Sequence, residues 1–368
     1  MKHNNKRKEI KTMDFINFLK LVKPAAIAAN WTEAQTNADP YLGEALFPRK
    51  QKAGLDLSWI KGNKGLPISL MPSAFDAKAT FRDRIGVQKL ETEMPFFREG
   101  FKIKEKDRQN ILRAIDTNDP YVREILANVF NDAGELLEGA KVVAERERMQ
   151  LLFAVNGNVG ITIQANGVDY TYNYDPDGAW KATNYFEIST NKWTDKTNSD
   201  PLGDIQTGKD AVADKGGMTR MIAMNSNTFR TLRGNASIMN KFITTSGVSV
   251  ATVSDGDIAQ VLKDSLELDG IVIYNKKFRD ESKNTQQFVP DGYVALLPDG
   301  ALGNTYLGTT PEEADLRSAG IADVQIVDTG VALTQIVDAH PVNVNTFASE
   351  IVLPSYERMD EVALLKVY

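Results

Sequence analysis

The chain has 368 residues, 42% of them hydrophobic, and 43 basic against 49 acidic side chains give a formal net charge of −6 and a pI near 5.3. An acidic balance argues against a dedicated nucleic-acid binder, which carries a basic face. The absence of cysteine excludes disulfides, thiolate nucleophiles and zinc–thiolate sites together. The length is that of two to three structural units with ample material for a core.

Residues 1–23 carry seven basic and two acidic side chains. Lys20 and Lys23 interrupt the apolar run from Phe15, so it is too short for a secretory signal, and no apolar run approaches the roughly 18 residues that cross a bilayer. The expectation is synthesis in the cytoplasm and no membrane role. Phe15, Phe18, Leu19 and Val22 fall at helical i, i+3, i+4, i+7 spacing, so residues 1–30 read as an amphipathic arm, docking on its own core or on a neighbour.

Residues 31–70 are a loop-rich lead-in, because Asp39-Pro40, Phe47-Pro48, Gly54, Gly62 and Gly65 break every apolar run. From Ala74 the pattern alternates through Phe75, Ala77, Ala79 and Phe81 to a charged tip, Arg82-Asp83-Arg84-Ile85-Gly86, and returns from Val87 to Phe101. Residues 71–104 therefore read as a long two-stranded excursion. An isolated hairpin is barely stable in water, so this one needs something to lie against.

The clearest helix spans 119–153, with Asp119 as N-cap and Pro120 in the first turn. Val122, Leu126, Val129, Ala133, Leu136, Ala140 and Val143 repeat at spacings of four and three. Gly134 and Gly139 inside it each cost about 1 kcal/mol in propensity, which tertiary packing must offset. Small residues in the stripe and no regular charge scheme beside it favour a spine packed on a sheet over a self-associating coiled coil.

Residues 157–188 alternate as strands, Ile161 and Ile163, then Val168, Tyr170, Tyr172 and Tyr174, around a turn at Asn166-Gly167. The helix and this hairpin make a unit over 105–200. A mixed α+β unit follows over 201–345, with strands at Met221–Met224, Ile271–Tyr274 and Val294–Leu297 and helices at Thr228–Leu232 and Asp257–Leu266. Residues 346–368 return to the body with apolar runs at Ile351–Leu353 and Val362–Leu365.

Catalytic and ligand motifs are mostly missing. Of two histidines only His340 lies in ordered-looking text, too little for a Ser/His/Asp triad. Gly203 to Lys209 matches the glycine and lysine positions of a phosphate loop, but Asp210 stands where the magnesium-binding hydroxyl belongs and no buried strand precedes it. Asn173, Asp175, Asp177 and Gly178 resemble the front of a calcium loop, yet Asn184 replaces the closing glutamate, and a hairpin turn is the better reading. The acidic pairs Glu145/Glu147 and Glu312/Glu313 read as solvated faces. No catalytic, cofactor-binding or metal-binding residue is assigned.

The order of arm, extended hairpin, very long helix, β element, α+β unit and C-terminal strand resembles the Hong Kong 97-type fold of tailed-bacteriophage capsid proteins. Closer likeness is to the major capsid protein E family, to which the phage lambda shell protein belongs. Three stretches carry it: Glu93-Met94-Pro95-Phe96-Phe97-Arg98-Glu99-Gly100-Phe101-Lys102; Phe288-Val289-Pro290-Asp291-Gly292 leading to Leu302-Gly303-Asn304-Thr305; and Pro354-Ser355-Tyr356-Glu357-Arg358-Met359-Asp360-Glu361-Val362. The resemblance implies a peripheral domain holding the spine helix over 105–200 and an axial domain over 201–345. It further implies a non-enzymatic subunit that self-assembles into hexamers and pentamers, forming the icosahedral head around double-stranded DNA without sequence-specific binding.

A portal, a separate scaffolding protein and a decoration protein are the implied partners; only a short leader precedes Phe15, which leaves no room for a fused scaffold. Candidate inter-subunit contacts are Phe15, Phe18 and Leu19 of the arm, and Arg82, Asp83, Arg84 and Lys89 of the hairpin, where fixed charge would steer register more than add affinity. A solvated tip is the alternative for the hairpin. Two other functions stay open from sequence: an encapsulin-like shell around enzyme cargo, and a hydrolase using acidic residues of the 201–345 unit.

Overall fold

The computed structural model describes residues 22–35, 39–61, 88–106, 109, 121–165, 167–246, 254–328, 330–340 and 342–368. Helix α1 (Pro24–Gln35) opens on proline, whose missing N–H costs nothing in a first turn, and buries Ile27, Ala28 and Trp31. Helix α2 (Leu42–Leu46) and strand β1 (Arg49–Gln51) follow.

Strand β2 (Asp56–Lys61) pairs antiparallel with β3 (Gln88–Glu93), Asp56 opposite Glu93 and Lys61 opposite Gln88. The sequence places the outgoing strand at Phe75–Phe81, outside the described residues, and reads 31–70 as loop. The strand that pairs begins earlier. Leu57 and Trp59 alternate with polar neighbours and are buried, a period-two signal that the flanking glycines obscured.

Strand β4 (Phe96–Ile103) leads towards helix α3 (Tyr121–Leu152), about 48 Å long at 1.5 Å per residue. The periodicity located this helix; Asp119 and Pro120 lie outside the described residues. The hairpin β5 (Gly160–Ala165) and β6 (Val168–Asn173) closes through Gly167, whose φ of +79° suits glycine. Helix α4 (Ala179–Asn184), strand β7 (Tyr185–Glu187) and helix α5 (Pro201–Asp214) come next.

Strand β8 (Met221–Met224) runs into three consecutive helices, α6 (Ser226–Arg233), α7 (Ala236–Ser246) and α8 (Asp255–Leu266). Asn225 caps α6 by accepting the Thr228 N–H, and Ser254 with Asp257 forms a capping box on α8. Then come β9 (Gly270–Ile273), the small hairpin β10 (Lys277–Arg279) and β11 (Thr285–Gln287), β12 (Tyr293–Leu297) and β13 (Thr305–Leu307). The chain closes with β14 (Asp323–Val327), β15 (Val331–Ala339), β16 (Val342–Pro354) and β17 (Ala363–Lys366).

Two sheets organise the molecule. In the first, β1-β13-β16-β15-β14 lie in order, with β4 also paired to β16. The thirteen-residue β16 is its axis, pairing β15 along one edge, β4 along the other and β13 at its C-terminal end. The second sheet is β7-β17-β12-β8-β9, with α5 to α8 contributing to its helical side.

The packing units therefore differ from the sequence division at 345. Strands β13 to β16 join β4 in the first sheet, while β7 and β17, from outside 201–345, complete the second. Pairing partners distant in sequence decide this, and no local pattern encodes them.

The second sheet divides two cores by simple alternation. Ala295, Leu297 and Leu364 face a core with Phe47, Trp59, Phe153 and Trp180; Val294, Leu296, Ala363 and Leu365 face Ile205, Leu232, Ile258 and Leu262. A third cluster lies where α1 and α3 meet β15, with Ile27, Trp31, Ala133, Leu137 and Leu333.

Close backbone approach fixes the junction before β13. A Cβ on Gly303 would sit 2.0 Å from the Ser355 carbonyl oxygen, whereas one on Gly139 of α3 would meet nothing within 4 Å. Gly303→Ala is expected to destabilise by about 2 kcal/mol or more, and Gly139→Ala to stabilise by up to about 1 kcal/mol. Denaturant midpoints of the two variants, moving in opposite directions, check this.

Candidate functional site

The residues singled out for inter-subunit contact are not brought together within the described residues. Phe15, Phe18, Leu19, Arg82, Asp83 and Arg84 lie outside them; Lys89 stands on β3 opposite Ile60.

The two loop-like motifs have structural roles. Gly203 to Lys209 lies inside helix α5, so its N–H groups are not arrayed as a phosphate cradle. Gly208 lets α5 approach Leu296, and Lys209 donates to the Leu266 carbonyl. Asp175 accepts the N–H groups of Trp180 at 3.0 Å and Lys181 at 2.9 Å, fastening the start of α4. Asn184 is buried and donates to the Asp360 and Val362 carbonyls at 3.0 and 2.7 Å.

The acidic pairs need correction. Glu145, Glu147 and Glu312 are buried, where the sequence reading made them solvated. Val142, Val143, Ala144, Met149, Leu151 and Leu152 flank the charged run 145–148 of α3, and α2, β16 and β5 pack against the helix there, so its carboxylates fall inside the protein.

Glu145 is the centre of a buried network, in which only Nη2 of Arg148 lacks a hydrogen-bond partner. Its Oε1 accepts the Gly43 N–H at 3.0 Å and the Tyr274 hydroxyl at 2.8 Å, and its Oε2 receives Arg148 Nη1 at 3.3 Å. Arg148 Nε donates at 2.8 Å to Thr305 Oγ1, which donates at 2.8 Å to the Phe47 carbonyl. Burial pushes the Glu145 carboxyl up and the Arg148 guanidinium down. With neither residue exposed, a substrate has no access, and the network is mechanical.

Around it lie three further acids. Glu312 accepts Ser349 Oγ at 2.9 Å and pairs with Arg98, which stacks over Phe96 at 4.7 Å. Glu147 and Glu350 are buried without hydrogen bonds to either oxygen of Glu147 or to Oε1 of Glu350. Burial pushes both up, Glu350 to about 8.

The stretches that carried the family likeness meet in space. Ser355 N–H donates to the Asn304 carbonyl at 2.7 Å, Arg358 N–H to the Leu302 carbonyl at 2.9 Å, and Asn304 Nδ2 to Glu357 at 3.1 Å. Met94 of the hairpin return is buried in the same core as Phe288, Leu302 and Tyr356. A model of the family described as phage major capsid protein E matches residues 23–367.

The chain belongs to the phage major capsid protein E family.

A major capsid protein of a tailed-phage head is a structural subunit and not an enzyme; it assembles into shells and resides in the virion capsid. The mixed α+β fold is similar to solved Hong Kong 97-type capsid structures. A prophage protein of E. coli CFT073, assigned as a capsid protein, has 14% identity and a TM-score of 0.57 over 94% of this chain and 99% of its own. A phage-related protein from Bordetella bronchiseptica RB50 has 14% identity and a TM-score of 0.50 over 91% and 95%. No curated protein sequence matches the chain.

In this capsid protein the network around Glu145 joins α2, α3, β13 and the end of β9. Arg148→Met strands a buried carboxylate and is expected to cost about 3–5 kcal/mol, while Glu145→Gln combined with Arg148→Met recovers part of that loss. Guanidinium unfolding of both variants measures it; equal or additive losses would count against a coupled pair.

Proposed function

We propose that this major capsid protein tiles an icosahedral head as hexamers and pentamers, with double-stranded DNA enclosed and not bound sequence-specifically. In this reading residues 1–30 are an arm, α3 is the spine helix of a peripheral domain, and the second sheet with α5 to α8 is the axial domain. The extended loop leaves the body at Asp56 and returns by Glu93, earlier than the start at 71 read from sequence.

The observation that carries the reading is the β2–β3 ribbon. It pairs with no third strand among the described residues, yet its base is pinned by Leu57 and by Trp59, whose ring lies 5.1 Å from that of Tyr174. A two-stranded ribbon rooted in the core, with no third strand beside it among the described residues, needs a surface to lie on, and in a shell that surface is another copy. Phe15, Phe18 and Leu19 of the arm and Arg82, Asp83, Arg84 and Lys89 of the hairpin are the proposed contacts. A separate scaffolding protein, a portal and a decoration protein complete the proposed partners.

Electron microscopy and light scattering of the protein expressed alone, and with a candidate scaffold, test the proposal. Rings, sheets or closed shells with fivefold and sixfold units are the expected outcome, and Arg82→Ala with Arg84→Ala should lower the shell yield. A monomer that persists under every condition, or an unchanged yield from the double variant, would contradict the respective parts.

A further inference from the structure

Beside α3, on the flank away from α1, a cleft of about 380 Å³ opens between the helix, β4 and the β5–β6 hairpin. Its walls are mostly apolar, with Phe97, Ala140, Val143 and Ile163; Arg98, paired with Glu312, and the exposed Glu99 and Glu281 stand at its rim, and one buried acid, Glu350 of β16, reaches it. Glu147, on the face of α3 turned to the sheet, has neither oxygen hydrogen-bonded, and Glu350 Oε1 has no partner either. A buried carboxylate left this way would cost several kcal/mol if charged; a buried carboxyl that keeps its proton avoids most of that cost.

We infer that Glu147 and Glu350 form a proton-held latch: un-ionised, they let α3 lie on β16, and loss of their protons to water through the cleft sets two buried negative charges against each other and loosens that end of the helix. The charged groups around the pair are few. Glu147 is faced by Arg146 and Arg148 from its own helix, Glu350 from β16, Tyr172 from β6 and Tyr174 just after it. Glu350 is faced by Arg49 from β1, Arg148 from α3 and Asp328 beyond β14.

Each of those cations pairs with another acid, and Nη2 of Arg148 is the one donor among them buried without a hydrogen bond. Arg146 pairs with Glu281, Arg148 with Glu145 at 3.3 Å, and Arg49 with Glu44 at 2.9 Å and Asp328 at 3.2 Å. The tyrosine hydroxyls are spent on backbone, Tyr174 on the Pro354 carbonyl at 2.5 Å and Tyr172 on that of Glu93 at 3.0 Å.

The sign follows from linkage. Below the ordinary carboxylate value of 4.5 the folded and unfolded chains both hold these protons. As pH rises past 4.5 the unfolded chain releases them while the folded chain keeps them, so stability falls until Glu350 ionises near 8. The device is therefore tightest in acid and loosens progressively up to about pH 8.

Hydrogen exchange on the full-length chain tests it. Rates for residues 140–152 in wild type are divided by those in Glu147→Gln/Glu350→Gln at the same pH, which cancels the intrinsic pH dependence of exchange. The ratio should rise about tenfold or more between roughly pH 6 and pH 9; a flat ratio overturns the latch. Infrared spectra of wild type should show an un-ionised carboxylic acid carbonyl at about pH 6 that fades by about pH 9 and is missing from the double Gln variant. Its absence at the lower pH also overturns the latch, as would protection of the segment by added calcium or magnesium that the double variant lacks, since the pair would then hold a metal ion and not protons.

Discussion

The structure depends on one buried requirement: Arg148 cannot sit inside the protein uncompensated. Its guanidinium is fully enclosed, and the idealised cost of moving such an ion out of water is of the order of 20 kcal/mol before relaxation. Glu145 and Thr305 answer it, and each brings other elements along. Glu145 fixes α2 through the Gly43 N–H and reaches the end of β9 through Tyr274; Thr305 ties β13 to the Phe47 carbonyl. Gly43 is part of the same constraint, since a Cβ there would lie 2.3 Å from Glu145 Oε2 and 2.5 Å from Arg148 Cδ. Apolar contact alone would hold α3 on the sheet in several registers; a hydrogen-bonded pair with fixed partners favours one.

From that anchor the two sheets are built differently. The first grows along β16, which bonds to three other strands and brings together segments as distant as β1, β4 and β15. The second is thin, only as wide as its five short strands, and uses alternation to serve two cores at once. A substitution at Leu296 is felt on the α5 side, one at Leu297 on the Trp180 side, and neither core can shift without moving β12.

How much of this was legible depended on whether the signal was local. The repeat from Ala133 to Val143 located α3, alternation located β5 and β6, and short apolar runs located β8, β9 and β12. The Pro201–Asp214 helix was hidden by Gly203 and Gly208, which a propensity reading counts against a helix although Gly208 is needed for the close approach to Leu296. Strand β2 was hidden by glycines at both ends. Glu145, Glu147 and Glu312 were misread because charge is taken as a mark of solvent; residues 145–148 are four charged side chains in a row, and no local pattern tells that α2, β16 and the β5–β6 hairpin close over that turn.

Enclosure by neighbouring elements explains why this end of the helix carries the buried ionisable groups. Near Gly139 the helix still has an open flank, and its charged side chains can reach water; by Glu145 the sheet, the lead-in and the β5–β6 hairpin have closed around it. Each acid enclosed there had to be satisfied in one of two ways, by a cation and backbone donors, as for Glu145, or by a retained proton, as for Glu147 and Glu350. Both solutions put the cohesion of lead-in, long helix and first sheet into the same few turns. In a shell subunit those turns also stand next to the base of the β2–β3 ribbon, through Tyr174 and Trp59, so load on the ribbon reaches the most tightly interlocked part of the body first.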